Sequence, residues 1–128
     1  MCPDICIDQN PDNCKIAVQT THGIQMLSPD QIICIKTRKR GTEFITSTGT
    51  YFSLKGITYW AEILDFPCFF QTYRSFIVNM DYVRLIRKDS VVLDNFSKDI
   101  EAYLSRRKYA DFKRCYFEYI DSRDSLLK

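Results

Sequence analysis

Two clusters of cationic side chains are the residues of this 128-residue chain best suited to contact a ligand. The early cluster consists of Lys36, Arg38, Lys39 and Arg40, and the late cluster consists of Arg106, Arg107 and Lys108. A charge without a partner is too costly to bury, so both clusters must face water or an anion. Since the net charge is only +2, we expect any anion to be attracted by these local fields and not by the total charge.

The late cluster falls where a predicted last strand passes into a predicted last helix. Cations in the first turn of a helix oppose the positive end of its dipole, at a cost of about 0.3–1 kcal/mol each when exposed. A bound phosphate would reverse that penalty, because backbone amides, the dipole and the cations would all attract it. The other interpretation is that the helix tolerates a mild penalty without a ligand.

The early cluster falls at the predicted tip of a hairpin and has two interpretations of equal weight. One is a solvated turn, since runs of charge are common in turns. The other is a narrow β-ribbon whose cations contact phosphates and reach base edges.

The segment from Phe69 to Asn79 places a polar run, Gln71–Ser75, among aromatic and β-branched residues. We predict one long strand over residues 69–78, in which Tyr73 and Arg74 point to opposite sides. Arg74 is the better candidate for a contact, because its planar guanidinium can bind a phosphate or a guanine edge with two hydrogen bonds. Asn79 is predicted to end the strand and to hydrogen-bond nearby backbone.

The sequence contains no recognisable catalytic arrangement. It has no nucleophile beside a base, no paired carboxylates in an apolar setting and no metal ligands at a workable spacing. Its only histidine, His22, precedes Gly23 in a predicted turn, where a surface histidine is far more common than a general base. The four glycines are isolated, so no phosphate-binding loop is expected. We therefore expect no enzymatic activity, no cofactor, no metal site and no small-molecule substrate.

The cysteines and the chain start favour a reducing compartment. Cys2, Cys6 and Cys14 have a spacing unlike the standard metal motifs and fit an irregular arm, whereas Cys34 and Cys115 fit small buried thiols. The start of the chain lacks the basic and apolar parts of a secretory signal, and no run of about 18 apolar residues occurs. The protein is expected in the cytoplasm, with its cysteines reduced.

Hydrophobic periodicity predicts a single strand-rich domain over residues 15–120, between an arm at 1–14 and a tail at 121–128. Strands are predicted at residues 16–19, 24–27, 32–37, 42–47, 50–54, 69–78, 82–86, 91–93 and 100–104. A helical turn begins at Ser28, and a helix is predicted at 57–64 because Ile57, Trp60, Ala61 and Leu64 share one face. The last helix is predicted at about 106–119.

The order of these elements, with the segments Phe69–Asn79 and Leu104–Arg107, resembles the LytTR family of bacterial transcription regulators. The resemblance covers about Lys15 to Tyr119. It implies a mainly β fold, an elongated β-β-β sandwich of small antiparallel sheets with two helices, whose loops enter successive major grooves on one face of DNA.

By position, the base-contacting loops of the family fall on residues 39–42 and 105–107, and its central motif falls on residues 73–75. The complete predicted set of DNA contacts comprises Arg38, Lys39, Arg40, Thr42, Tyr73, Arg74, Ser75, Ser105, Arg106, Arg107 and Lys108. Arg107 is expected to matter most. Tyr73 stands where many members carry a histidine; it can hydrogen-bond but cannot gain a charge near neutral pH.

The resemblance implies a sequence-specific, double-stranded DNA-binding regulator of transcription. A further hypothesis is that two copies bind neighbouring repeated sites. Many members carry a receiver domain, for which the arm before Lys15 is too short, so regulation is expected to enter otherwise. One hypothesis is a membrane protein that restrains this chain. The alternatives are a protein-interaction adaptor that uses strand edges and the aromatic C-terminal helix, and a binder of single-stranded RNA that uses surface tyrosines.

Overall fold

The computed structural model describes the backbone of residues 14–96 and 98–127 and the side chains as far as residue 122. The predicted arm at 1–14, including Cys2 and Cys6, lies outside the described residues except for Cys14, which is buried.

Three antiparallel sheets are present within the described residues. The first pairs β1 (Ile16–Thr20) with β2 (Gly23–Leu27). The remaining strands are β3 (Ile32–Arg38), β4 (Gly41–Thr46), β5 (Gly49–Ser53), β6 (Phe69–Tyr73), β7 (Phe76–Asn79), β8 (Val83–Ile86), β9 (Ser90–Leu93) and β10 (Ile100–Tyr103). A five-stranded sheet has the order β5-β4-β3-β7-β6, and a three-stranded sheet has the order β10-β9-β8. The predicted mainly β architecture is confirmed.

Both faces of the five-stranded sheet are covered, as the burial of β3 shows. Its run of four buried residues, Ile32–Ile35, contains an irregularity and contributes to both hydrophobic clusters. Ile32 and Ile35 pack with the β1–β2 hairpin, whereas Ile33 and Cys34 pack toward the three-stranded sheet. A strand buried on both faces reads as a continuous apolar run. Burial also raises the pKa of the Cys34 thiol to about 12.

Two helices occupy opposite sides of this sheet in the described part of the chain. The first, α1 (Ile57–Ile63), buries Ile57 and Trp60, as its periodicity predicts. The rings of Trp60 and Phe44 meet edge-on, with their centres 4.9 Å apart. The Nε1 of Trp60 donates a hydrogen bond of 3.0 Å to Ser53 Oγ. The second, α2 (Tyr109–Leu127), extends beyond the predicted end near residue 119.

The predicted single strand over residues 69–78 is wrong. Strands β6 and β7 are the two arms of a hairpin, with Phe69 opposite Asn79 and Tyr73 opposite Phe76. The chain turns at Arg74 and Ser75, a pair that lacks the glycine, proline or asparagine that usually marks a turn. The predicted alternation of side chains also fails, because the register of β6 against β7 shifts between Gln71 and Tyr73. The structure buries Thr72 and exposes Arg74.

Asn79 performs the predicted backbone role and also a longer-range one. Its Oδ1 accepts a hydrogen bond of 2.9 Å from the amide of Asp81, which caps a 3-10 turn over Met80–Tyr82. Its Nδ2 donates to the carbonyl oxygen of Ile32 at 2.8 Å. The side chain is fully buried and joins the end of β7 to the start of β3.

Candidate nucleic-acid interface

The three predicted contact segments lie side by side at one end of the molecule. The amide of Thr37, near the end of β3, donates to the carbonyl oxygen of Ser75 in the β6–β7 turn at 3.0 Å. The amide of Ser105 donates to the carbonyl oxygen of Thr72 at 2.9 Å. The β6–β7 turn therefore lies between the β3–β4 hairpin and the segment that follows β10.

The tip of the β3–β4 hairpin presents two free cations. Lys39 and Arg40 are exposed, and neither forms an ion pair within the described residues. Arg38 differs, because its Nη1 donates to Glu43 Oε1 at 3.0 Å and its guanidinium lies 5.3 Å from the centre of the Phe52 ring. Glu43 therefore holds Arg38 in place and offsets part of the charge of the early cluster.

The side chain of Thr42, which is among the predicted contacts, points away from this surface. Its side chain is 1% exposed, and its Oγ1 donates a hydrogen bond of 3.0 Å to the carbonyl oxygen of Lys55. Thr42 lies one residue inside β4, where alternation points it toward the interior. Its role is to join β4 to the segment after β5.

The β6–β7 turn presents Arg74 on an aromatic base. The guanidinium of Arg74 lies 5.8 Å from the centre of the Tyr73 ring, and the Tyr73 ring lies 5.8 Å from that of Tyr103. Phe76 contacts Tyr103 at the same distance. Tyr73 and Ser75 are half-buried, so Arg74 is the most accessible polar group of the predicted central motif.

The late cluster lies between the last strand and the last helix, as predicted, but α2 begins at Tyr109 and not near residue 106. Ser105 precedes a 3-10 turn over Arg106–Lys108, which leads into the helix. Arg106 and Arg107 are exposed and form no ion pair with any described residue. Lys108 is half-buried, and its Nζ donates a hydrogen bond of 2.9 Å to the carbonyl oxygen of Gln71.

Sequence reasoning missed a fourth loop at this end, the β8–β9 turn. The amide of Leu104 donates to the carbonyl oxygen of Asp89 at 3.0 Å, which fixes the turn beside the late cluster. Lys88 in this turn is exposed and lines an open groove of about 510 Å³ together with Asp89, Arg106 and Tyr109. Lys88 follows Arg87, and this pair of cations in a turn is the signal that could have indicated the loop.

No group of three or more metal-ligating side chains occurs among the described residues. None of the described helices is long and apolar enough to cross a membrane.

Comparisons with known proteins agree on one family. A family model described as the LytTr DNA-binding domain matches residues 22–116. The fold is similar to a solved structure of the LytTr DNA-binding domain of a protein described as a methyl-accepting/DNA response regulator from Bacillus cereus. The TM-score is 0.63 at 18% sequence identity, and the match covers 80% of this chain and 95% of that one. None of the curated proteins matches this sequence.

Proposed function

Because the chain belongs to the family of LytTR DNA-binding domains, we propose that it binds double-stranded DNA sequence-specifically as a bacterial transcription regulator. The observation that carries this proposal is the placement of four loops at one end of the fold, each with at least one exposed cation. Exposed cations without ionic partners attract a polyanion at close range, where the small net charge matters little.

The tip of the β3–β4 hairpin and the segment that follows β10 are proposed to read bases. Lys39 and Arg40 stand at a narrow hairpin tip, and Arg107 stands at the start of α2, so each could enter a major groove while the β6–β7 turn faces the backbone between them. Arg107 can bind the O6 and N7 atoms of guanine with two hydrogen bonds. We assign the sugar-phosphate contacts to Arg38, Tyr73, Arg74, Ser75, Ser105 and Arg106, and we add Lys88 because it is exposed in the turn beside the late cluster.

Three further parts of the proposal concern the setting of the protein. It acts in the cytoplasm, where two copies bind neighbouring repeated sites, and a membrane protein restrains it. In an electrophoretic mobility shift assay, a duplex with two repeats should give a second retarded band. That band should disappear when one of the two repeats is scrambled. A pull-down from native cells that recovers no membrane protein would contradict the last part.

The direct test is selection of bound sequences from random duplex DNA by the purified chain. We expect one enriched motif, and binding to it should weaken with salt at a slope of about −0.9 in log K against log salt for each phosphate contacted. Absence of an enriched motif, combined with affinity that does not respond to salt, would favour the adaptor function. Tighter binding to single-stranded RNA than to the selected duplex would favour the RNA function.

Two substitutions separate base reading from phosphate contact. Arg107→Ala should cost about 1–3 kcal/mol and relax base choice at one position of the motif. Lys88→Ala should weaken all duplexes alike and reduce the salt slope by about 1. Lys98→Ala is the matched control, since Lys98 is exposed in the β9–β10 loop at the opposite end of these strands. Equal effects of all three substitutions would contradict the proposed interface.

A further inference from the structure

The irregularity in β6 leaves two consecutive carbonyl groups facing the segment after β10. In a regular strand, successive carbonyls point to opposite sides, and one of the two would face β7. The register of β6 against β7 shifts between Gln71 and Tyr73, and the carbonyls of Gln71 and Thr72 both accept hydrogen bonds from residues 105–108. Bulges of this kind occur next to functional sites, where they redirect the groups around them.

The two carbonyls are satisfied by different kinds of donor. The oxygen of Thr72 accepts from the backbone amide of Ser105, as in an ordinary ladder. The oxygen of Gln71 accepts from the Nζ of Lys108 at 2.9 Å, in a partly buried position. A buried carbonyl without a donor is costly, and a charged donor makes one of the stronger hydrogen bonds in a protein. Lys108 therefore fastens the 3-10 turn to β6 beside the shift in register.

The hydrogen bond from Lys108 to Gln71 lies next to Arg107, the proposed base reader. Arg107 precedes Lys108 in the same 3-10 turn, and the two hydrogen bonds to β6 enclose it, one from Ser105 and one from Lys108. Arg107 is exposed, and no ion pair with any described residue fixes its guanidinium. The point from which its side chain starts is held by the backbone on either side of it, at Ser105 and Lys108.

We propose that Lys108 is a positioning residue, which holds Arg107 in its base-reading direction through the carbonyl of Gln71, and that it is not a phosphate contact. The inference rests on the proposed function and goes beyond it, because sequence alone places Lys108 among the residues that meet DNA. Lys108 then contributes to discrimination between sequences through Arg107 and adds little of its own to electrostatic attraction.

A double-substitution cycle tests this inference with the duplex obtained by selection. Lys108→Met keeps the length of the side chain and removes its donors. We expect it to weaken binding to the selected duplex by about tenfold in the wild-type background and by less than about twofold in the Arg107→Ala background, because the two residues act as one unit. Lys39→Met is the matched control and should give the same loss in both backgrounds, since separate sites are additive.

Two further readouts distinguish positioning from general damage. Lys108→Arg restores a donor and should recover most of the preference for the selected duplex over one changed at the base pair that Arg107 reads. In Arg107→Ala, adding Lys108→Met should leave the salt slope unchanged, whereas loss of a phosphate contact would reduce it by about 1.

The outcomes separate this inference from the proposed function. Equal losses from Lys108→Met in both backgrounds, with a reduced salt slope, would overturn the inference and leave DNA binding intact. Failure of the wild-type chain to bind any duplex would overturn both. Retention of full affinity and preference by Lys108→Met would also overturn the inference.

Discussion

Substitution of Gly41 by alanine should destabilise the fold far more than substitution of another glycine with a similar backbone. Gly41 begins β4 beside the hairpin tip and has φ +143°, a conformation that residues with a side chain rarely adopt. Such strain costs about 1–3 kcal/mol by itself. Gly23 has φ +132° and carries the same kind of strain, but a Cβ there would meet nothing within 4 Å.

The additional cost at Gly41 comes from the end of β5. A Cβ on Gly41 would lie 2.0 Å from the carbonyl oxygen of Ser53, whereas real Cβ contacts are essentially never shorter than 3.0 Å, so the backbones of Gly41 and Ser53 must move apart. The Oγ of Ser53 accepts hydrogen bonds of 3.0 Å from Trp60 Nε1 and from the amide of Lys55. Leaving a buried donor unpaired costs about 1–3 kcal/mol. The total for Gly41→Ala is therefore about 2–6 kcal/mol, a large fraction of the stability of a typical domain.

Urea unfolding followed by the fluorescence of Trp60 measures this directly, since Trp60 is the only tryptophan and its indole is one of the affected groups. Gly23→Ala is the control, and we expect Gly41→Ala to exceed its loss by at least about 1 kcal/mol. A native emission spectrum that shifts in Gly41→Ala alone would locate the damage at the Ser53 contact. Equal losses for the two variants would refute the argument from close approach and leave only backbone strain.

Three other predictions concern buried polar groups. Thr72→Val should leave the free energy of unfolding in urea unchanged or raise it, because Thr72 Oγ1 is buried and has no hydrogen-bond partner among the described residues; a loss above about 1 kcal/mol would contradict this. Asn79→Asp should be destabilised by about 2–4 kcal/mol at pH 7, since its carboxylate would face two backbone carbonyl oxygens. Burial there would raise the pKa of the carboxyl above its unfolded value of about 3.9. The loss in free energy of unfolding relative to the wild type should therefore grow as the pH rises from about 4. Cys34 should resist iodoacetamide at pH 8 in the native protein, because burial raises the pKa of its thiol to about 12, while half-buried Cys115 reacts faster in peptide mapping.

The predictable parts of the fold are those in which local and tertiary requirements agree. The apolar face of α1 repeats at helical spacing and packs on the five-stranded sheet, so its periodicity was a sufficient signal. The β3–β4 hairpin combines a continuous apolar run with a polar turn, and the chain turns within the predicted residues 38–41, with Arg38 opposite Gly41. In α1 and in the β3–β4 hairpin, the apolar residues that pack in the core also indicate where the element begins and ends.

The β6–β7 turn could not be predicted, because its conformation depends on neighbours that are distant in sequence. Neither Arg74 nor Ser75 has a turn preference strong enough to interrupt the strand pattern. The carbonyl of Ser75 is held by the amide of Thr37, and that of Thr72 by the amide of Ser105. These bonds form only after two other elements have packed against the segment, so no window of local sequence contains the cause of the turn.

The availability of each cation at the proposed interface is a tertiary property in the same way. Arg38 and Lys39 are adjacent and have the same charge, yet only Arg38 of the two forms a hydrogen bond with Glu43. Glu43 lies opposite Lys36 in the ladder, and Arg38, two residues after Lys36, shares its face of β3. Arg107 and Lys108 differ similarly, since the bulge in β6 provides an acceptor for Lys108 alone. The hydrogen bonds of Arg38 and Lys108 therefore limit how freely each side chain can move toward a ligand, and a count of charges in the sequence does not show this difference.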